Sequence, residues 1–302
     1  MSTEEIRRAR ATLLRMVEPP APETRRLIAA VGPVEAARLL HSERAPDEVV
    51  AECRHEAVVG NPDSDLRRAD VVRARLVIPE DDEWPDFADT NSVGAEPIGL
   101  WVRSAMPLRD LVRRAICVDG ARAATLYGES IASDLSYELA RRDFVVWSGA
   151  SYGIASAAHR GGLVSEGLTV AALPCGVDVD YPMANRNLLD RIIGSGGTVS
   201  EYPPGVQPSR ARFGARSQLL AFLTGLVLIV EAGKRSGSLP AAAQARSLGR
   251  PVCAVPGPLG SVASAGCHRL IQDGAHLVTS AQDVIDVLQH GGIRASEKDG
   301  HS

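Results

Sequence analysis

The sequence predicts an α/β protein, with a doubly wound, mostly parallel sheet preceded by a small all-α domain. Three observations carry that expectation. From Arg114 onward, short apolar runs alternate with helical segments, as β–α crossovers require. The run Leu226-Val227-Leu228-Ile229-Val230 is apolar on both faces, which suits a strand buried in the middle of a parallel sheet. The residues before about 75 show helical spacing and no strand-like run.

The helical segment is read first. Ile6, Ala9, Leu13, Leu14 and Val17 repeat at helical spacing, and Pro19-Pro20 ends the pattern. Further helices are expected over Glu23–Ala30, Val34–Leu40, Asp47–Val58 and Asp63–Arg73. A connector follows from 75 to 114, with the acidic knot Glu80-Asp81-Asp82-Glu83 and a possible edge strand in Pro97–Val102. Strands are then expected at Ala115–Val118, Phe144–Trp147, Leu168–Leu173, Thr198–Glu201, Leu226–Val230 and Pro251–Val255. Helices fall between them at Tyr127–Arg142, from Gly153 to about Gly161, and at Asn185–Ile193, Arg212–Thr224 and Leu239–Leu248. A last helix spans Gln282–Gln289. The expected division is 1–75 helical, 76–290 the sheet domain, and 291–302 a polar, disordered tail.

Composition narrows the function classes. The 302 residues suffice for one large and one small core, with a net charge of −4. That balance does not exclude nucleic acid, because a local basic cleft suffices. Such a bias exists: Ser209–Arg250 holds Arg210, Arg212, Arg216, Lys234, Arg235, Arg246 and Arg250 against the single acid Glu231. Five scattered cysteines form no CxxC pair, which suits a reducing compartment and no metal site. The N-terminus lacks the apolar segment of a signal peptide, and no run approaches the roughly 20 residues that span a bilayer. A cytoplasmic protein without membrane contact is expected.

Chemistry in such sheets gathers beyond the carboxyl ends of the strands. Small-residue turns fall there at Asp119-Gly120-Ala121-Arg122, at Ser148–Gly153 and at Gly233–Ser238, with a fourth at Pro256-Gly257-Pro258. Helix starts present free N–H groups, and Arg122, Lys234 and Arg235 add positive charge, so an anion-binding crevice is expected. No GxGxxG, no GxxxxGK[ST] and no GxSxG occurs, so dinucleotide, P-loop and serine-hydrolase chemistry find no support. His159 reads as a helix-packing or phosphate-facing residue before a base, and no residue set demands catalysis or a cofactor.

Six ordered segments resemble the DprA/Smf DNA-processing family. They are VDGARAATLYG (118–128), FVVWSGASYGIASAAHRGGL (144–163), LPCGVDVDYPMANRNL (173–188), GGTVSEYPPGVQP (196–208), VLIVEAGKRSGSLPAAAQARSLGRPVCAVPG (227–257) and GCHRLIQDGAHLV (266–278). The resemblance implies an extended Rossmann-like domain that binds single-stranded DNA in a basic cleft, forms a homodimer and loads the RecA recombinase during natural transformation. It implies no catalytic activity. By motif, DNA phosphates would meet Gly120, Ala121 and Arg122; Ser148, Gly149, Gly153 and Ile154; Arg216; and Lys234, Ser236, Gly237 and Ser238. Two departures stand out. The family's GID is Gly153-Ile154-Ala155 here, and its R-N-R run is Arg216-Ser217-Gln218. A winged-helix domain found at the end of some members is not expected. Two alternatives remain open: a nucleotide-binding sensor or nucleotide-processing enzyme on a related sheet, and a relative that keeps the fold and acts through protein contacts only.

Overall fold

A computed structural model describes residues 2–54, 61–87 and 96–290. The chain forms two compact units. One comprises Met1–Asp110, Leu173–Tyr181 and Gly197–Arg216; the other comprises Leu111–Ala172, Pro182–Gly196 and Ser217–Ser302.

In chain order the first helices are α1 (Thr3–Met16), α2 (Pro22–Val31), α3 (Pro33–His41), α4 (Asp47–Val50) and α5 (Pro62–Val71). Their starts are encoded locally. Ser2 and Glu5 form a capping box on α1, and proline opens α2, α3 and α5, where a missing N–H costs nothing. The helix expected over Asp47–Val58 ends at Val50, and residues 55–60 lie outside the described residues. Strands β1 (Arg75–Val77) and β2 (Leu100–Arg103) follow, then α6 (Leu108–Val112), β3 (Ala115–Asp119), α7 (Leu126–Ala140), β4 (Val145–Ser148), α8 (Ile154–Val164) and β5 (Thr169–Ala172). The remainder is α9 (Arg186–Ser195), β6 (Gly197–Ser200), α10 (Arg210–Leu223), β7 (Leu226–Ile229), α11 (Leu239–Ser247), β8 (Val252–Ala254), α12 (Ala265–Gln272), β9 (His276–Leu277) and α13 (Ala281–His290). The polar tail predicted over 291–302 lies outside the described residues.

In the first unit β2 lies between β1 and β6 and is antiparallel to both. The strand expected at a sheet edge therefore has partners on both sides, and the "connector" supplies a strand, β1, of its own. Thr198 pairs with Arg103 and Ser200 with Trp101, so this part of the chain departs from the parallel pattern. Leu13, Leu14, Val17, Ala36, Ile78 and Trp101 sit in this unit's core, each almost fully buried. Three acids of the knot are paired within the unit: Arg10 meets Glu80 at 2.7 Å, Arg7 meets Asp81 at 2.7 Å and Arg75 meets Glu83 at 2.6 Å.

In the second unit six strands run parallel in the order β5-β4-β3-β7-β8-β9. The chain winds outward from β3 through β4 to β5, then returns to β7 on the other side of β3 and continues to β8 and β9. The order reverses between β3 and β7, which is where open α/β sheets leave a crevice. Ile116, Val118, Val146, Leu226 and Leu228 are fully buried in the core with Ile154 and Ala158 of α8. Helices α12 and strand β9 were not assigned from the sequence, since eight and two residues offer little periodicity.

Candidate nucleic-acid interface

The turns after β3, β4 and β7 stand side by side, because these strands are neighbours with Asp119 level with Ile229 and Cys117 level with Trp147. They are also joined directly. The Ala121 amide donates to the Glu231 carbonyl at 2.7 Å, and the Ile154 amide donates to the Ala121 carbonyl at 3.2 Å. Gly120 lies so close to its neighbours that a Cβ there would sit 2.6 Å from Ile154 Cγ1 and 2.7 Å from the Glu231 carbonyl. Gly153 has φ +69° and ψ −127°, and a Cβ there would run into the Ala121 and Arg122 carbonyl oxygens. The small residues of the first two turns are thus what lets the two backbones touch.

A buried carboxylate braces the first turn from below. Glu231, 2 % exposed, accepts from the Thr125 amide at 2.8 Å and from Thr125 Oγ1 at 2.7 Å. Thr125 Oγ1 in turn accepts from the Gly128 amide at 3.1 Å and caps α7. The Gly120 amide donates to Asp119 Oδ1 at 2.8 Å. The Gly120, Ala121 and Thr125 amides are thus answered within the protein, and the exposed cation of the turn is Arg122. Helices α8 and α11 differ: neither start carries a side-chain cap. Backbone answers their first-turn amides instead: Ile154 donates to the Ala121 carbonyl at 3.2 Å, and Leu239 and Ala241 donate to the Ser236 and Ser238 carbonyls at 3.3 and 3.1 Å, so what these starts add to the rim is their helix dipoles.

The second turn is held by Asn185, whose Nδ2 donates to the Ala150 carbonyl at 2.8 Å and to Ser156 Oγ at 2.9 Å. Ser156 Oγ donates to the Ser151 carbonyl at 2.5 Å. The third turn is closed by a Ser236–Ser238 hydroxyl contact of 2.9 Å and by the Ser236 amide on the Gly233 carbonyl at 3.0 Å. Lys234 also borders a groove of about 770 Å³ between α11 and α12, lined by Leu239, Arg246, Leu259, His268 and Arg269 among others.

The residues predicted to meet phosphate separate into two sets. Arg122, Lys234 and Gly237 are exposed, and Gly120, Ala121 and Ser236 are partly so. Ser148, Gly149, Gly153, Ile154 and Ser238 are buried. Ser148 Oγ donates to the Val118 carbonyl at 2.6 Å, and Ile154 packs over Gly120. Arg216 belongs to the other unit and is 5 % exposed, its guanidinium 5.4 Å from the Phe213 ring. Its burial sets it apart from the exposed Arg122 and Lys234.

His159 is fully buried, and burial pushes its pKa down to about 3. Thr169 Oγ1 donates to the Val146 carbonyl at 2.9 Å, so at 2.7 Å it accepts from His159 Nδ1–H. The neutral ring packs α8 against β5, and its full burial takes it away from any phosphate. Glu231, Thr125 and Asn185 escaped the sequence reading. Glu231 did carry a signal, as the lone acid in a long basic stretch.

Known proteins resemble this chain over most of its length. Residues 75–289 match the profile of the family described as DNA recombination-mediator protein A. A DprA-type DNA processing protein of Mycobacterium tuberculosis is 44 % identical over 300 residues, covering 96 % of this chain and 77 % of that protein. The DNA processing protein DprA of Streptococcus pneumoniae is 39 % identical over 201 residues, 65 % of this chain and 69 % of the relative. The crystal structure of DprA from Streptococcus pneumoniae superposes with a TM-score of 0.71 at 27 % identity, covering 94 % of this chain and 95 % of the other. A Helicobacter pylori DNA processing protein A, whose structure was described for its single-stranded DNA binding mode, gives a TM-score of 0.60 at 25 % identity over 72 % of this chain and 96 % of the other.

Proposed function

The chain belongs to the DNA recombination-mediator protein A family, and from that premise we propose that it binds single-stranded DNA without sequence preference and loads RecA onto it. The observation that carries the proposal is the placing of Arg122 and Lys234 beyond adjacent strands at the switch point, beside the uncapped starts of α8 and α11. Phosphates would be held by Arg122, Lys234 and the exposed backbone at Gly237. Gly120, Ser148, Gly149, Gly153, Ile154 and Ser238 would shape the rim from behind. Contacts of that kind grip a backbone and leave the bases unread. The Helicobacter relative's single-stranded DNA binding supports the choice of ligand. The proposal includes a homodimer, a non-catalytic role and a cytoplasmic site of action in DNA uptake. Among the described residues no helix is long and apolar enough to cross a membrane.

The test is a fluorescence-anisotropy titration with labelled single- and double-stranded oligonucleotides at two salt concentrations. Tighter binding of the single strand, weakening steeply with salt, is expected. No binding of either strand, with a melting shift on adding mononucleotides, overturns the proposal and selects a nucleotide sensor.

A further inference from the structure

The turn after β4 carries one residue that neither phosphate binding nor packing uses. Tyr152 is 49 % exposed, and its hydroxyl has no hydrogen-bond partner among the described residues. The chain is poor in aromatics, and most of the described ones are withdrawn from solvent; Trp101, Trp147 and Tyr202 are almost wholly buried. Tyr127 is the other exposed aromatic, and its Oη donates to the Pro256 carbonyl at 3.0 Å.

We propose that Tyr152 is a stacking platform for a nucleobase of the bound strand, and so makes this rim prefer unpaired over paired DNA. The inference rests on the single-stranded DNA reading and deepens it. Three features argue for it beyond exposure. Tyr152 precedes Gly153, whose backbone packs against the Arg122 carbonyl, so it sits on the turn adjoining the one that carries Arg122. The turn is rigid: Ala150 has φ +52° and Gly153 φ +69°, and Asn185 and Ser156 hold the Ala150 and Ser151 carbonyls. A ring on a rigid turn loses little freedom when a base lands on it. Finally, a grip made of amides and two cations treats single and double strands alike at the phosphates, whereas a π-face is accessible only to an unstacked base.

The test compares oligo-dT with an abasic oligonucleotide of equal length, which has the same phosphates and no bases. Tyr152→Ala should weaken oligo-dT binding about 5- to 150-fold, the range of one lost base–aromatic stack. It should leave abasic binding and the salt slope unchanged, and Tyr152→Phe should retain the wild-type affinity. In Tyr152→Trp, oligo-dT but not the abasic strand should quench the added emission. Equal loss on both strands, or no loss on oligo-dT, overturns the stacking role while DNA binding stands. A wild-type protein that binds neither strand overturns the underlying reading, and the stacking role with it.

Discussion

Gly153→Ala should loosen the second unit and displace its rim. The residue occupies φ +69° and ψ −127°, a region that L side chains rarely adopt, at a cost of about 1–3 kcal/mol. The new methyl also meets the carbonyl oxygens of Ala121 and Arg122. These are backbone atoms, and the Ile154 amide holds the first of them at 3.2 Å, so they cannot swing aside as a side-chain tip would. Overpacking of this kind adds about 1–3 kcal/mol. The two together come to about 4 kcal/mol, or a fall in Tm of about 8–16 °C for a unit of this size. Calorimetry of the variant against wild type measures it. Gly194→Ala is the control, because nothing lies within 4 Å of the added methyl in helix α9, and it should change little or gain about 0.5–1 kcal/mol. At 20 °C the surviving folded Gly153→Ala protein should bind oligo-dT more weakly, since the turn bearing Arg122 must move. A Tm within 2 °C of wild type would refute the close backbone contact on which the rim's geometry depends.

Two further predictions concern charge. The double variant Arg122→Ala/Lys234→Ala should lower the slope of log affinity against log salt by about 1.4, from about 0.7 per phosphate contact on a single strand. Its disadvantage relative to wild type should shrink about sevenfold between 50 and 200 mM salt; parallel slopes in the anisotropy titrations would remove both residues from the DNA path. In the first unit, burial raises the Glu201 carboxyl pKa from 4.5 to about 7, against the opposing pull of Arg25 and with Glu18 adding to the rise. A carboxyl whose folded pKa lies above its unfolded one binds its proton more tightly when folded. The stability it contributes is complete below about pH 4.5 and is lost as pH rises through about 7. Between pH 4.5 and pH 8, the urea-unfolding free energy of Glu201→Gln should gain about 3 kcal/mol relative to wild type. An equal gap at both pH values would show that Glu201 has an ordinary pKa.

The sheet of the second unit was readable from the sequence where apolar runs were long and isolated. Leu226–Val230 and Ala115–Val118 became β7 and β3 because nothing but a central parallel strand buries both faces of such a run. Arg75–Val77 escaped because a three-residue strand beginning with Arg looks like connector until a partner is known. The grouping of Leu173–Tyr181 and Gly197–Arg216 with the N-terminal residues has no local signature at all. In the site, Arg122 and Lys234 could be picked out because charge beside glycine at a strand end has few structural uses. Burial of Ser148, Ile154 and Arg216 could not, since it depends on which distant residues cover them. Sequence motifs record that a position matters; they do not separate a side chain that touches a ligand from one that holds the turn in place.

That separation bears on how the rim attracts a polyanion at all. Asp119 and Glu231 lie directly beneath it, 4 % and 2 % exposed, and two buried carboxylates would by themselves repel a phosphate. Their hydrogen bonds decide the outcome. Glu231 is turned toward Thr125 at the start of α7, and Asp119 accepts from the Gly120 amide, so the first helix start answers an internal anion. The starts of α8 and α11 have no such internal partner among side chains, and Arg122 and Lys234 project beside them. The fold thus answers the first-turn amides of Ile154, Leu239 and Ala241 with its own carbonyls, and what it presents to a ligand is Arg122, Lys234 and the dipoles of α8 and α11. An external anion is drawn to the outer positions and not to the centre of the crevice, which suits an extended strand lying across the turns better than a single nucleotide seated in the first of them.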